Sequence, residues 1–270
     1  MIDNEDDIES WFSEHDIPEG SIAVRVHCLN DGNSAQLEDF MSRAIPTCYI
    51  SENDLAARMN ETGLSASELI QNKVPDPGSV MAGDFGEVLT LFFLGSERTE
   101  PLTKLRKWRF KQDRTKAAPH SDVIILHKAH DDRPSTDDFV ICAESKLKST
   151  ASPFSPIEKS IEGYKADKTG RLARTLVWLK EKAIDNENSD AIAFVSRFTD
   201  DLLETSFEKK FRAVAVIDLA FLDDELLKEL DLPTQSDEFE VVVLGIGDLK
   251  NLYEQSYDKA VEEVSDGQST

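Results

Sequence analysis

Asp122, Glu144 and Lys146 have the residue types and the spacing for metal-assisted hydrolysis. Asp122 opens the apolar run Val123-Ile124-Ile125-Leu126, Glu144 closes the run at 139–143, and Lys146 follows two residues later. Side chains alternate along an extended chain with period two, so Glu144 and Lys146 face one point. If the two runs pair as antiparallel strands, the start of the first lies beside the end of the second, and Asp122 joins them. Two carboxylates at one spot repel each other unless a cation lies between them. Hard oxygen donors suit Mg2+ or Mn2+, and a neighbouring ammonium can orient a water or offset charge on a phosphate under attack. The plain alternative is a pair of solvated strand ends with a surface lysine on an edge.

The elements that must position these residues read as a mixed α/β pattern without repeats. The two apolar runs are separated by the turn-rich Asp131-Asp132-Arg133-Pro134-Ser135 and are expected to be adjacent core strands. Upstream, residues 80–94 form a helix with Phe85, Val88, Leu89 and Phe92 on one face, Asp84 and Glu87 on the other, and Gly95 as its stop. Before it come a strand at 22–28 and helices at 35–44, 52–60 and 65–71. The Pro75-Asp76-Pro77-Gly78 break then marks a boundary between an N-terminal subdomain, 1–78, and a second unit, 79–270. Downstream, Ile157, Ile161, Tyr164, Leu172, Leu176, Leu179 and Ala183 keep a helical period across one long element in which Gly163 and Gly170 introduce a bend. Further strands are expected at 191–195, 213–219 and 239–244. Asp248 is placed to cap a last amphipathic helix carrying Leu249, Leu252, Tyr253, Tyr257, Val261 and Val264.

Taken together these residues resemble the PD-(D/E)xK nuclease superfamily, whose pattern is an acidic helix residue, an aspartate, an interval of some twenty residues, and Glu-x-Lys. The matching positions are Glu87 within Gly83-Asp84-Phe85-Gly86-Glu87, Asp122 within His120-Ser121-Asp122, and Glu144-Ser145-Lys146. Ser121 stands where the superfamily usually has proline. Across about residues 80–185 the chain also resembles the HamA family, the nuclease-like subunits of the Hachiman anti-phage system. That resemblance implies a restriction-endonuclease-like core of the α/β class, a mixed central sheet flanked by helices, with an N-terminal α/β subdomain at 1–78 that meets a partner. It implies Glu87, Asp122, Glu144 and Lys146 as the catalytic set, with Asp122, Glu144 and Glu87 holding Mg2+ or Mn2+ and Asp84 as a possible co-ligand. It further implies a DNase held inactive by a helicase, HamB in that system, and released on infection. Substrate identity is not written in these residues, so an RNA-directed or solitary repair nuclease, or a catalytically inactive adaptor, stays open; so does the role of His120.

Charge bears on the same question. The chain carries 30 Lys and Arg against 53 Asp and Glu, a net −23, and a field of that sign repels polyanions. The distribution is uneven. The first sixteen residues hold seven carboxylates (Asp3, Glu5, Asp6, Asp7, Glu9, Glu14 and Asp16) and no Lys or Arg, whereas 98–116 hold eight cations (Arg98, Lys104, Arg106, Lys107, Arg109, Lys111, Arg114 and Lys116) against Glu100 and Asp113. Lys111 and Lys116 are expected to grip the DNA backbone. Lys165, Lys168, Arg171 and Arg174 recur every three residues, an oblique stripe on a helix that suits a sugar-phosphate backbone, with a solvated face as the plain alternative; Lys165, Lys168 and Arg171 are expected to join Lys111 and Lys116 at DNA.

Other classes fall away. There is no Walker A loop, GxGxxG, HExxH or GxSxG, so any ATP dependence must come from the partner. Cys28, Cys48 and Cys142 are odd in number and form no CxxC, and read as buried reduced thiols. No apolar stretch approaches the roughly 20 residues of a membrane span, and the acidic opening is unlike a secretory signal, so no membrane association and a cytoplasmic location are expected.

Overall fold

The computed structural model describes residues 7–16, 19–96, 100–199 and 207–266. Its elements in chain order are β1 (Phe12–Glu14), β2 (Arg25–Leu29), α1 (Ser34–Tyr49), α2 (Glu52–Thr62), α3 (Ala66–Gln71), α4 (Ser79–Ser96), β3 (Thr103–Lys104), β4 (Val123–His127), β5 (Phe139–Lys148), α5 (Pro156–Ala166), α6 (Leu172–Asp185), α7 (Ser189–Ser196), β6 (Glu208–Asp218), α8 (Leu219–Leu226), β7 (Phe239–Ile246) and α9 (Leu249–Asp266). The strands form one mixed sheet in the order β1-β2-β7-β6-β5-β4-β3. Its centre, β2 to β5 through β7 and β6, is parallel, and β3, β4 and β1 run antiparallel to their neighbours. This is the α/β architecture expected, a mixed central sheet flanked by helices.

Helices cover both faces, so the central strands are apolar on both sides rather than alternating with polar residues. Phe139, Ile141 and Ala143 of β5 point into one cluster with α1, α4 and α9, while Val140 and Cys142 point into the other with α5 and α6. All three cysteines are buried and free, as expected. Residues on both sides of the Pro75–Gly78 break belong to this one assembly: β2 pairs with β7, and α1 packs on α9. The acidic opening is described only from Asp7, and Arg98 lies outside the described residues.

Four expectations are corrected. Residues 191–195 are helical, within α7, because the Asn188 side chain accepts the Ala191 N–H at 2.9 Å and starts a helix that a short apolar run cannot distinguish from a strand. The long element at 157–183 is two helices separated by a wide turn at Asp167–Arg171, where Gly170 takes φ 127°, open to glycine and strained for other residues. From Asp84 to Gly95 helix α4 has no solvent face; Asp84 and Glu87 are buried along with its apolar side. Finally, the Leu249 N–H of α9 is accepted by Asp218 at 2.8 Å, not by Asp248, whose carboxylate instead accepts the Asn251 side chain. The final helix otherwise buries Leu249, Leu252, Tyr253 and Tyr257 as its pattern requires, and the side chain of Val264 lies outside the described residues.

Candidate active site

Strand β5 runs on beyond its apolar run to Lys148, so Glu144, Ser145 and Lys146 are all part of it. The antiparallel register sets Val123 opposite Ala143, which brings the preceding Asp122 beside Glu144. Ser145 points to the opposite face, where its hydroxyl meets Thr90 of α4 at 3.0 Å, and its N–H donates to Asp122 Oδ2 at 3.1 Å. Glu144 and Lys146 therefore share a face with Asp122, as their spacing predicted.

Three oxygens converge on the Lys146 ammonium: Asp122 Oδ2 at 3.1 Å, Glu144 Oε1 at 2.5 Å and the Ser145 main-chain carbonyl at 3.1 Å. This is a cation position, filled here by the chain's own Nζ. On its other oxygen Glu144 pairs with Arg171, which also binds both Asp167 oxygens and the Gly163 carbonyl. Arg171 reaches the site because the turn at Asp167–Arg171 breaks the helix. Lys165, Lys168, Arg171 and Arg174 thus do not form a stripe on one helix.

Glu87 is brought to the same end of the sheet by α4, but between it and Asp122 stands Lys107, from a 3-10 turn at Lys107–Phe110. Its ammonium donates to the Ser121 carbonyl at 3.0 Å and lies 3.2 Å from Glu87 Oε2 and 3.7 Å from Asp122 Oδ1. Lys107 was not singled out from the sequence, where it is one of eight cations in a run and nothing marks it as the buried one. Asp84, the suggested co-ligand, is engaged elsewhere: it accepts from Lys111 at 2.6 Å and from the Tyr49 hydroxyl at 2.5 Å. Ser121, in the place of the usual proline, is buried with its hydroxyl on Asp167 at 2.6 Å and Thr175 at 2.9 Å.

The electrostatics follow from this crowding. Burial pushes the Asp122 carboxyl up, but Lys107 and Lys146 outweigh it and hold the group below the ordinary range. Burial and the charge of Asp122 raise Glu144 against the pull of Lys146 and Arg171. Glu87 is driven well upward by burial and by Asp122 and Asp84, with Lys107 opposing. Both ammoniums would be lowered by burial alone, yet the facing carboxylates raise them and keep them charged.

Of the residues expected to meet DNA, Lys116 is 78% exposed on its side chain and 3.1 Å from Asp113. Lys165 and Lys168 are also exposed, the latter 3.4 Å from the Tyr164 hydroxyl. Lys111 is only 4% exposed on its side chain and committed to Asp84, so it has no face free for a phosphate in this arrangement. His120 takes a left-handed φ of 73° and packs on Trp178 with ring centroids 4.7 Å apart.

Among the described residues no three Asp, Glu, His or Cys side chains converge as a metal-holding group. The donors that do converge, two carboxylates and a carbonyl, are hard oxygens of the kind Mg2+ and Mn2+ take, and they already surround a cation, so the donor chemistry fits.

A mixed-sheet α/β protein that brings an aspartate and a Glu-x-Lys to one point on one face of its sheet is the class these observations define. The HamA family model matches residues 5–260, and the chain belongs to that family, a component of the Hachiman anti-phage defence system. A search of curated proteins found no match. Among the described residues no helix is long and apolar enough to cross a membrane.

Proposed function

We propose that this chain is the metal-dependent DNase subunit of its defence complex, restrained and delivered to DNA in the cytoplasm by a helicase partner resembling HamB. The observation that carries this reading is the ring of Asp122, Glu144 and the Ser145 carbonyl around one cation position, with a lysine that can vacate it. Those three groups would hold Mg2+ or Mn2+. When bound, the ion would polarise a phosphate oxygen and activate a water.

The remaining work falls to the chain. The Ser145 N–H keeps Asp122 oriented. Lys146, displaced from the oxygens, stays within reach on its flexible stem and turns its N–H donors to the phosphate, offsetting the charge that builds there. Arg171 holds Glu144 from the opposite side. Lys116, Lys165 and Lys168 supply exposed cations for the strand's backbone phosphates, while the net charge of −23 keeps the lone chain from binding DNA tightly.

The test is a divalent-dependent DNase assay on the chain co-purified with its helicase. The double change Glu144→Ala with Lys146→Ala is expected to reduce cleavage by at least ~100-fold while the protein stays folded. Undiminished cleavage would mean that the activity resides elsewhere. A fully assembled wild-type complex that cleaves nothing would instead favour the inactive adaptor, the reading suggested by carboxylates already neutralised by Lys146 and Arg171. Cleavage of RNA, or of DNA without the helicase, would favour the RNA-directed or solitary nuclease.

A further inference from the structure

Two ammoniums sit among the same carboxylates, and they are held in different ways. Lys146 is 29% exposed on its side chain and has a route to solvent from its ring of oxygens. Lys107 is 6% exposed, lies against the buried Trp108 ring at 5.9 Å, and meets the Ser121 carbonyl, Glu87 Oε2 and Asp122 Oδ1. Asp122 divides its oxygens between them, Oδ2 facing Lys146 and Oδ1 facing Lys107.

We propose that Lys107 is a resident counter-cation that permanently fills the position between Glu87 and Asp122, so that the site takes a single divalent cation, at the oxygens now around Lys146. Glu87 is then a positioning residue: it acts on Lys107, and through it on Asp122, and does not touch the metal. This rests on the metal-dependent reading above and specifies the number and place of the ions.

The physical argument is one of exits. For a second ion to bridge Glu87 and Asp122, the Lys107 ammonium would have to leave. Its side chain is only 6% exposed, and its departure would strip the buried Ser121 carbonyl of its donor and leave the Glu87 carboxylate without its counter-charge among buried residues of α4. Lys146 faces neither obstacle, because its stem can swing outward while a metal replaces its charge at the same oxygens. One position is closed by burial and the other is exchangeable.

The experiment is a Mn2+ titration of the full-length chain followed by electron paramagnetic resonance, which counts bound ions independently of cleavage. The wild type and Glu87→Gln are expected to bind one equivalent. Lys107→Ala, which empties the position while leaving both carboxylates, is expected to bind two, and Lys107→Ala with Glu87→Gln to return to one. A purely structural role for the Lys107–Glu87 pair gives one equivalent in every variant, and that pattern overturns the proposal. So does a second equivalent in the wild type, or loss of Mn2+ binding in Glu87→Gln. If Lys107→Ala does not fold by circular dichroism, Lys107→Met, which keeps the bulk of the stem and removes the charge, takes its place: two equivalents support the proposal and one overturns it. Absence of Mn2+ binding in the wild type sinks the metal-dependent reading itself, an outcome distinct from an unexpected stoichiometry.

Discussion

Gly163 of α5 lies so near Glu144 that an added Cβ would stand 2.2 Å from the carboxyl carbon. Only a hydrogen fits there, and the same residue's carbonyl accepts from Arg171. Gly163→Ala is therefore expected to cost about 1–3 kcal/mol through overpacking and to push Glu144 off Lys146. Urea unfolding reads the first effect and Mn2+ titration the second; an unchanged midpoint would show that the contact yields without cost. Two of the lysines expected at DNA, Lys111 and Lys116, separate in the same way. Lys111→Met strips the buried Asp84 of its counter-charge, leaving it the Tyr49 hydroxyl, and is expected to destabilise by about 3–5 kcal/mol. Lys116→Gln, on an exposed lysine, is expected to stay within about 0.5 kcal/mol of wild type. Equal unfolding midpoints for the two variants would contradict the burial of Lys111.

Between elements, a few carboxylates tie the chain together. Asp218, the last residue of β6, accepts the Ala220 N–H of α8 at 2.9 Å and the Leu249 N–H of α9 at 2.8 Å. One side chain thus caps two helix starts, and Asp218→Ala is expected to cost about 1–3 kcal/mol, above a single exposed cap. A thermal scan that fails to separate Asp218→Ala from wild type would remove that role. Asp138 fixes the turn before β5 by accepting the Ala129 and Ser135 N–H groups and, on both oxygens, Arg197 just after α7. Burial raises its carboxyl, but Arg197 and the two amides prevail and hold it below the ordinary value of 3.8. A depressed carboxyl contributes stability that is complete above the ordinary value and is lost as pH falls through the lowered one. The stability gap between wild type and Asp138→Asn is therefore expected to be widest near neutrality and to close in acid. A gap that is constant with pH would show that the charge does not matter.

Across the whole molecule, a net charge of −23 opposes local cations at Lys116, Lys165 and Lys168. Weak duplex binding by the lone chain is expected at moderate salt. Tighter binding is expected with the helicase, which raises the effective concentration of DNA at the site. Tight binding by the chain alone, unmoved by Lys116→Gln, would point to an autonomous nuclease. The scales differ in how much of them was legible beforehand. The sequence by itself determined the α/β class and the shared face of Glu144 and Lys146, because these depend on residue pattern and period-two alternation, which are local properties; that Asp122 joins them was conditional on an antiparallel pairing of β4 with β5, which the tertiary structure supplied. It did not separate a strand from a helix at 191–195, since five apolar residues satisfy either period and the Asn188 cap decided. Nor did it reveal that Lys107 and Lys111 turn inward, that Arg171 reaches Glu144 through a broken helix, or that Asp218 displaces Asp248 as the cap of α9. Those outcomes depend on which charges are brought within a few ångströms of one another, often from distant parts of the chain. Burial then makes an unpaired charge costly, and the tertiary structure selects a partner that no local pattern encodes.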